Sequence, residues 1–119
     1  MKIEVRTRGP VDVVVVAGAV LGARDTTIHD KLAELLEAEE SLFILNLTEG
    51  PAFDSQLLGE LVAARERVRR QLGVIKLVLT AKQRQLLVAS SLDSLFETYP
   101  SEDDALDSFD PLVSTAGIP

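Results

Sequence analysis

Residues 42–79 read LFILNLTEGPAFDSQLLGELVAARERVRRQLGVIKLVL, and the fold follows from how this stretch divides. "LFILNL" (42–47) is an apolar run without alternation, as a short strand buried on both faces requires. "VIKLVL" (74–79) is another. Between them, Asp54-Ser55 supplies two good helix-capping residues. Leu57, Leu58, Leu61, Val62, Val68 and Leu72 then fall on one side of a helix spanning roughly residues 54–72. Two buried strands joined by a helix predict parallel pairing, with the helix packed on the sheet.

The flanking sequence extends this unit. Ile3, Val5 and Thr7 alternate with polar residues over 3–8, as in an edge strand with one wet face, and Gly9-Pro10 turns the chain. "VDVVVVAG" (11–18) loses its alternation after Asp12, so a central strand is expected there. A glycine-containing stretch, 18–24, leads to a helix start at Asp25-Thr26. Ile28, Leu32, Leu35 and Leu36 form its apolar side, with Lys31, Glu34 and Glu37 outside. After Thr80, "KQRQLLVAS" predicts a short helix and "LFETY" (95–99) a last strand. Ser101 with Asp104 resembles a capping box, Asp replacing the usual Glu, and opens a final helix ending near Phe109. Residues 110–119, "DPLVSTAGIP", are expected to form a loose tail. The order β-β-α-β-α-β-α-β-α predicts a single α/β domain over residues 1–109, with a mixed, mainly parallel sheet.

Composition narrows the function. A 119-residue chain that is 46% hydrophobic and 26% charged can bury a core unaided. The absence of cysteine excludes disulfides and thiol catalysis, and one histidine, His29, cannot build a multi-histidine zinc site. No metal and no cofactor are expected. A net charge of −7 repels a phosphate backbone, which argues against nucleic acid. The start "MKIEVRTRGP" lacks a signal core and no apolar run reaches membrane-spanning length, so a soluble cytoplasmic domain is expected.

Catalytic motifs are weak. His29, Asp54 and Ser55 contain the residue types of a hydrolase triad, but Ser55 lacks the flanking glycines of a nucleophile elbow. A surface position on an amphipathic helix accounts for His29. The acidic pairs Glu39-Glu40 and Asp103-Asp104 sit at helix ends, where solvated charge needs no catalytic reason. No phosphate loop, dinucleotide glycine pattern or calcium-loop spacing is present. The chain is not expected to be an enzyme.

Gly59 is the unusual residue of the long helix, because an interior glycine costs about 1 kcal/mol relative to alanine. Ser55, Gly59 and Ala63, spaced i, i+4 and i+8, lie along one narrow stripe off the leucine face. Such a stripe leaves a low track for close approach by another protein, with Glu66, Arg67 and Arg70 around it to fix orientation. Alternatively, Gly59 relieves crowding against a neighbouring loop. Both readings stay open at this point.

The chain over about residues 3–109 resembles the STAS domain, the family of bacterial anti-sigma factor antagonists. The likeness rests on the element order and on Asn46-Leu47, Phe53, Asp54-Ser55 and Gly73. The downstream "LLVASSLDSLFETYPSEDDAL" resembles the family's ending. Within the family's Asp-Ser-Ser-Gly-Leu-Gly motif, Gln56 replaces the second serine and Leu57 the first glycine, while Gly59 keeps the second. Gly18 fits the loop after the second strand, where Ala19-Val20-Leu21 replaces Glu-Leu-Asp. The resemblance implies a non-enzymatic module that binds an anti-sigma factor or related serine kinase, with Ser55 as the phosphorylated residue whose modification releases the partner. Taken with the track on the helix, the expected contacts are Asp54, Ser55, Gln56, Gly59, Ala63 and Arg67, on a monomer or weak homodimer. Other readings are a STAS subunit of a stressosome-like scaffold or lipid-transport complex, without phosphorylation, and a small nucleotide-binding protein. The missing phosphate loop opposes the last.

Overall fold

The computed structural model describes residues 2–18 and 27–109. The expected helix start at Asp25-Thr26, the Ala19-Val20-Leu21 segment and the tail 110–119 lie outside them. The elements are β1 (Lys2–Arg8), β2 (Val11–Ala17), α1 (Thr27–Glu37), β3 (Leu42–Glu49), α2 (Ser55–Arg70), β4 (Val74–Val78), α3 (Ala81–Ala89), a 3-10 turn (Asp93–Leu95), β5 (Glu97–Tyr99) and α4 (Glu102–Asp107). This is the expected order, and the strands form one five-stranded sheet in sequence order. β1 and β2 pair antiparallel through the Gly9-Pro10 turn, and every later neighbour pairs in parallel.

The sheet is covered on both faces. Val14 and Val16 of β2, Phe43, Leu45 and Leu47 of β3, and Leu77 of β4 face α1, α2 and α3, where Ile28, Leu32, Leu57, Leu61, Val68 and Leu87 close the main core. The alternate residues Val11, Val13, Ile44 and Val78 face α4 and meet Ala105 and Phe109. Burial on both faces explains the unbroken valine run of β2. β1 stands at the edge: Ile3 and Val5 pack against the main core, while Arg6 and Arg8 reach α4.

The short helix α4 is fastened by polar contacts at both ends. At its start, Ser101 Oγ accepts from Asp104 N at 3.1 Å, and Glu102 accepts from Arg6 at 2.8 Å and from Asn46 Nδ2 at 2.7 Å. Asn46 Oδ1 in turn accepts from Thr48 N and Oγ1, so this side chain joins the end of β3 to α4. At the other end, Lys76 of β4 is only 6% exposed. Its Nζ donates to Ser108 Oγ (2.7 Å) and Ser108 O (3.2 Å), lies 3.3 Å from Glu97 and stands 4.4 Å over the Phe109 ring. The last turn of α4 has no basic residue of its own, and Lys76 supplies the cation that this end of a helix favours.

Two expectations need correction. Leu72, placed on the buried side of the long helix, is 92% exposed. The helix ends at Arg70, and Leu72 adopts a left-handed conformation (φ 61°) that swings it off the apolar face. Ala64 fills that face instead. Gly73 follows because a Cβ there would lie 2.7 Å from Ser41 O and 2.8 Å from Val68 Cγ1. The last strand is shorter than expected, since Leu95 closes the 3-10 turn and only Glu97–Tyr99 pair with β4.

Candidate functional site

The start of α2 is built by three local devices. Asp54 has extended backbone angles and its Oδ1 accepts from Leu57 N at 2.9 Å, so Asp54 is the N-cap. Leu58 N donates to Asp54 O at 3.0 Å, closing the first helical turn. Phe53 and Leu58, at the two positions of a hydrophobic staple, are both partly buried against the main core. Leu57, where the family motif has glycine, is itself a fully buried core residue. Ser55 therefore stands as the first residue of the helix, exposed, with no part in the cap. Sequence reasoning had shared capping between Asp54 and Ser55; the structure gives it to Asp54.

Along the outer side of α2, Ser55, Gln56, Gly59 and Ala63 are all exposed. Among the described residues, a Cβ built on Gly59 would meet nothing within 4 Å, so none of their loops crowds this glycine. Glu66 lies at its far end, held between Arg65 (3.2 Å) and Arg69 (3.6 Å). Arg67 is half-buried, and its Nε is enclosed with no hydrogen-bond partner among the described residues. It lies off the centre of the track, which is a difference from the expected set of exposed contacts. Arg65 is a structural residue, donating from Nε to Leu95 O at 2.6 Å and tying α2 to the turn before β5.

A cleft of about 430 Å³ opens beside the track, between α1 and α2, lined by His29, Asp30, Gln56, Glu60 and Ala63. Its floor is organised by Glu60, whose Oε1 accepts from the backbone amides of Ile28 (3.0 Å) and His29 (3.4 Å). A carboxylate from α2 thus satisfies two first-turn amides of α1 and places negative charge where a helix favours it. Sequence reasoning missed Glu60, since a carboxylate at a polar helical position carries no signal of a partner 32 residues away. His29 lies half-exposed in this cleft, 3.9 Å from Asp30, and no hydrogen bond among the described residues joins it to Asp54 or Ser55. The hydrolase arrangement has no geometric support.

A smaller groove of about 320 Å³ lies on the other side of the helix start, between the loop at Gly50–Phe53 and Lys82, Gln83 and Leu86 of α3. Gln83 completes a capping box with Thr80 and donates to Leu47 O at 2.7 Å, so this wall is firmly attached to the sheet. The N-terminal end of α2 is therefore a shelf with a cleft on either side. Among the described residues no helix is long and apolar enough to cross a membrane.

Comparison with solved structures agrees with this architecture. An anti-sigma factor antagonist from Mycobacterium paratuberculosis superposes with a TM-score of 0.77 at 22% identity, covering 90% of this chain and 92% of that one. The NMR structure of the protein TM1081 gives 0.74 at 19% identity, covering 90% and 87%. The phosphorylated form of the Bacillus cell fate determinant SpoIIAA gives 0.65 at 18% identity, covering 90% and 98%. No curated protein matches the chain significantly. The model of the STAS domain matches residues 2–105, nearly all of the sheet and helices described above, and the chain belongs to the STAS domain family.

Proposed function

We propose that this domain is a non-enzymatic regulator of the anti-sigma factor antagonist kind, working in the cytoplasm. It binds an anti-sigma factor or related serine kinase through the start and exposed side of α2, and phosphorylation of Ser55 releases the partner. The observation that carries the reading is the exposed Ser55 at the first position of α2, relieved of capping by Asp54 and continuous with the exposed Gly59 and Ala63. Asp54 and Gln56 flank the hydroxyl, and Arg67 contributes at the margin. Likeness to the anti-sigma factor antagonist and to phosphorylated SpoIIAA supports the class of partner.

The mechanism follows from charge. A phosphate on Ser55 adds roughly −1.5 to −2 charges. The free amides and dipole at the start of α2 accommodate that charge within the domain. A partner seated on the track meets the added bulk and charge directly. Calorimetric titration of unmodified, Ser55→Ala, Ser55→Asp and phosphorylated protein against the same anti-sigma kinase tests this. Ser55→Ala should bind like the unmodified domain, Ser55→Asp more weakly and phosphoserine weakest. Equal binding by all four forms would reduce Ser55 to an ordinary helix residue.

A further inference from the structure

We propose that Asn46 and Glu102 are positioning residues for the start of α2. The hydrogen bond between them fixes the chain that delivers Ser55, so that α4 and α2, on opposite faces of the sheet, hold the site jointly. Asn46 sits near the end of β3, between Val15 of β2 and Val78 of β4. Its side chain lies on the α4 face, the same side as Ile44. The amide is used at both ends. Nδ2 donates to Glu102 Oε2 at 2.7 Å, and Oδ1 accepts from Thr48 N at 3.1 Å and from Thr48 Oγ1 at 2.7 Å. Its orientation is dictated by the partners, because a backbone N–H only donates and an ionised carboxylate only accepts. A carboxylate at position 46 would serve Thr48 but not Glu102, and an apolar residue would serve neither.

Glu102 is held in turn. It is the first residue of α4, and its side chain is 17% exposed. Arg6 Nη2 donates to both of its oxygens, at 3.0 and 2.8 Å. These charge-assisted bonds make a bridge from the edge strand β1, through the start of α4, to the end of β3. Beyond Thr48 the chain is fixed by successive short contacts. Gly18 N donates to Glu49 O (2.9 Å), Gly50 N to Leu47 O (3.0 Å) and Asp54 N to Ala52 O (2.9 Å). A Cβ on Gly50 would lie 3.2 Å from Leu47 O and 3.3 Å from Val16 O, so this stretch runs close against the sheet backbone. Asp54 then caps α2. Little slack separates Thr48 from Asp54, and a turn of the Asn46 side chain that moves Thr48 carries the helix start with it.

The coupling itself needs only this geometry, whereas its consequence for a partner rests on the reading of Ser55 as the switch. A displaced helix start moves the hydroxyl and the track together, so a partner shaped to them loses its fit. α4 thereby becomes a second place, on the far face of the sheet, from which binding is set.

Amide NMR and hydrogen exchange on the full chain, well below its melting temperature, test the bridge in Asn46→Asp, Glu102→Gln and the double variant. Asn46→Asp sets two carboxylates against each other. It should speed exchange at the Thr48 amide at least about tenfold and shift the amide resonances of Ser55 and Gln56. The double variant exchanges the two groups, so that the amide at position 102 donates to the carboxylate at position 46. The Thr48 rate and the Ser55 and Gln56 resonances should then return towards those of the unmodified protein, a rescue that two independent structural losses cannot give. Affinity for the anti-sigma kinase should fall at least about threefold in Asn46→Asp and recover in the double variant. Unchanged Ser55 and Gln56 resonances in Asn46→Asp, losses that simply add in the double variant, or equal affinity of all forms for a kinase that does bind would each overturn the proposal. If the kinase binds no form, the unmodified protein included, while the resonances follow this pattern, the coupling stands and the reading of Ser55 falls. Should Asn46→Asp fail to fold, Glu102→Ala removes the acceptor without adding charge; it should shift Ser55 and Gln56 in the same way, and no shift there overturns the proposal.

Discussion

Gly59 should separate stability from binding. It lies in the second turn of α2, where glycine costs about 1 kcal/mol relative to alanine, and its missing Cβ would touch nothing within 4 Å among the described residues. Gly59→Ala should therefore stabilise the free domain by about 1 kcal/mol, partly by restricting the unfolded chain. For a domain of this size that corresponds to a rise of about 4 °C in Tm. Gly59→Arg should stabilise nearly as much, since arginine is a good helix former and the side chain has open space. On the proposed docking track, however, the arginine occupies the space a partner needs, and affinity should fall at least tenfold, about 1.4 kcal/mol. Circular dichroism melts and calorimetric titration of both variants give the two numbers. A lower Tm for Gly59→Ala would refute the claim that this position is open. Higher Tm in both variants with unchanged affinity in Gly59→Arg would show that no partner uses this face.

Substitutions at two further positions test how α2 is held. Glu60→Ala removes the acceptor for the Ile28 and His29 amides, and should cost about 1 kcal/mol while speeding hydrogen exchange at those two amides; Glu60→Gln should stay nearer the unmodified protein. Equal exchange rates in all three forms would remove the cross-helix cap from the account. Gly73→Ala drives a methyl group against Ser41 O and Val68 Cγ1, and should destabilise by about 1–3 kcal/mol in denaturant unfolding, whereas a neutral result would mean that the turn yields easily.

The sequence carried the architecture because its periods were unambiguous. The unbroken valines of β2 and the leucine spacing of α2 each permit one placement, and together they imply a parallel sheet covered on both sides. Leu72 was misplaced because helical periodicity contains no information about where the helix stops. Its turn places a leucine in a left-handed conformation, where glycine is the usual signal, and the glycine comes one residue later to admit Ser41 and Val68. At the site, Asp54-Ser55 and Gly59 were legible because they break helical preference locally. Glu60 and Glu102 were not, because each works through partners distant in the chain. Lys76 was not legible either: a single polar residue in an apolar strand does not name its partners, here Ser108 and Glu97.

The division of labour at the start of α2 has a consequence for control on the proposed switch. Asp54 closes the first turn, Phe53 and Leu58 anchor the entry to the core, and Leu57 fills the core itself. None of these tasks falls to Ser55. A phosphate there adds repulsion from Asp54, but it also gains the helix-terminus interaction of roughly 0.3–1 kcal/mol per charge, so the free domain has little reason to change shape. The balance changes when a partner covers the hydroxyl. Water is excluded, screening falls, and the phosphate loses solvation that no cation among the adjoining track residues Gln56, Gly59 and Ala63 can restore. The modification therefore acts on the bound state and leaves the free fold almost untouched, which is the property a reversible release signal requires.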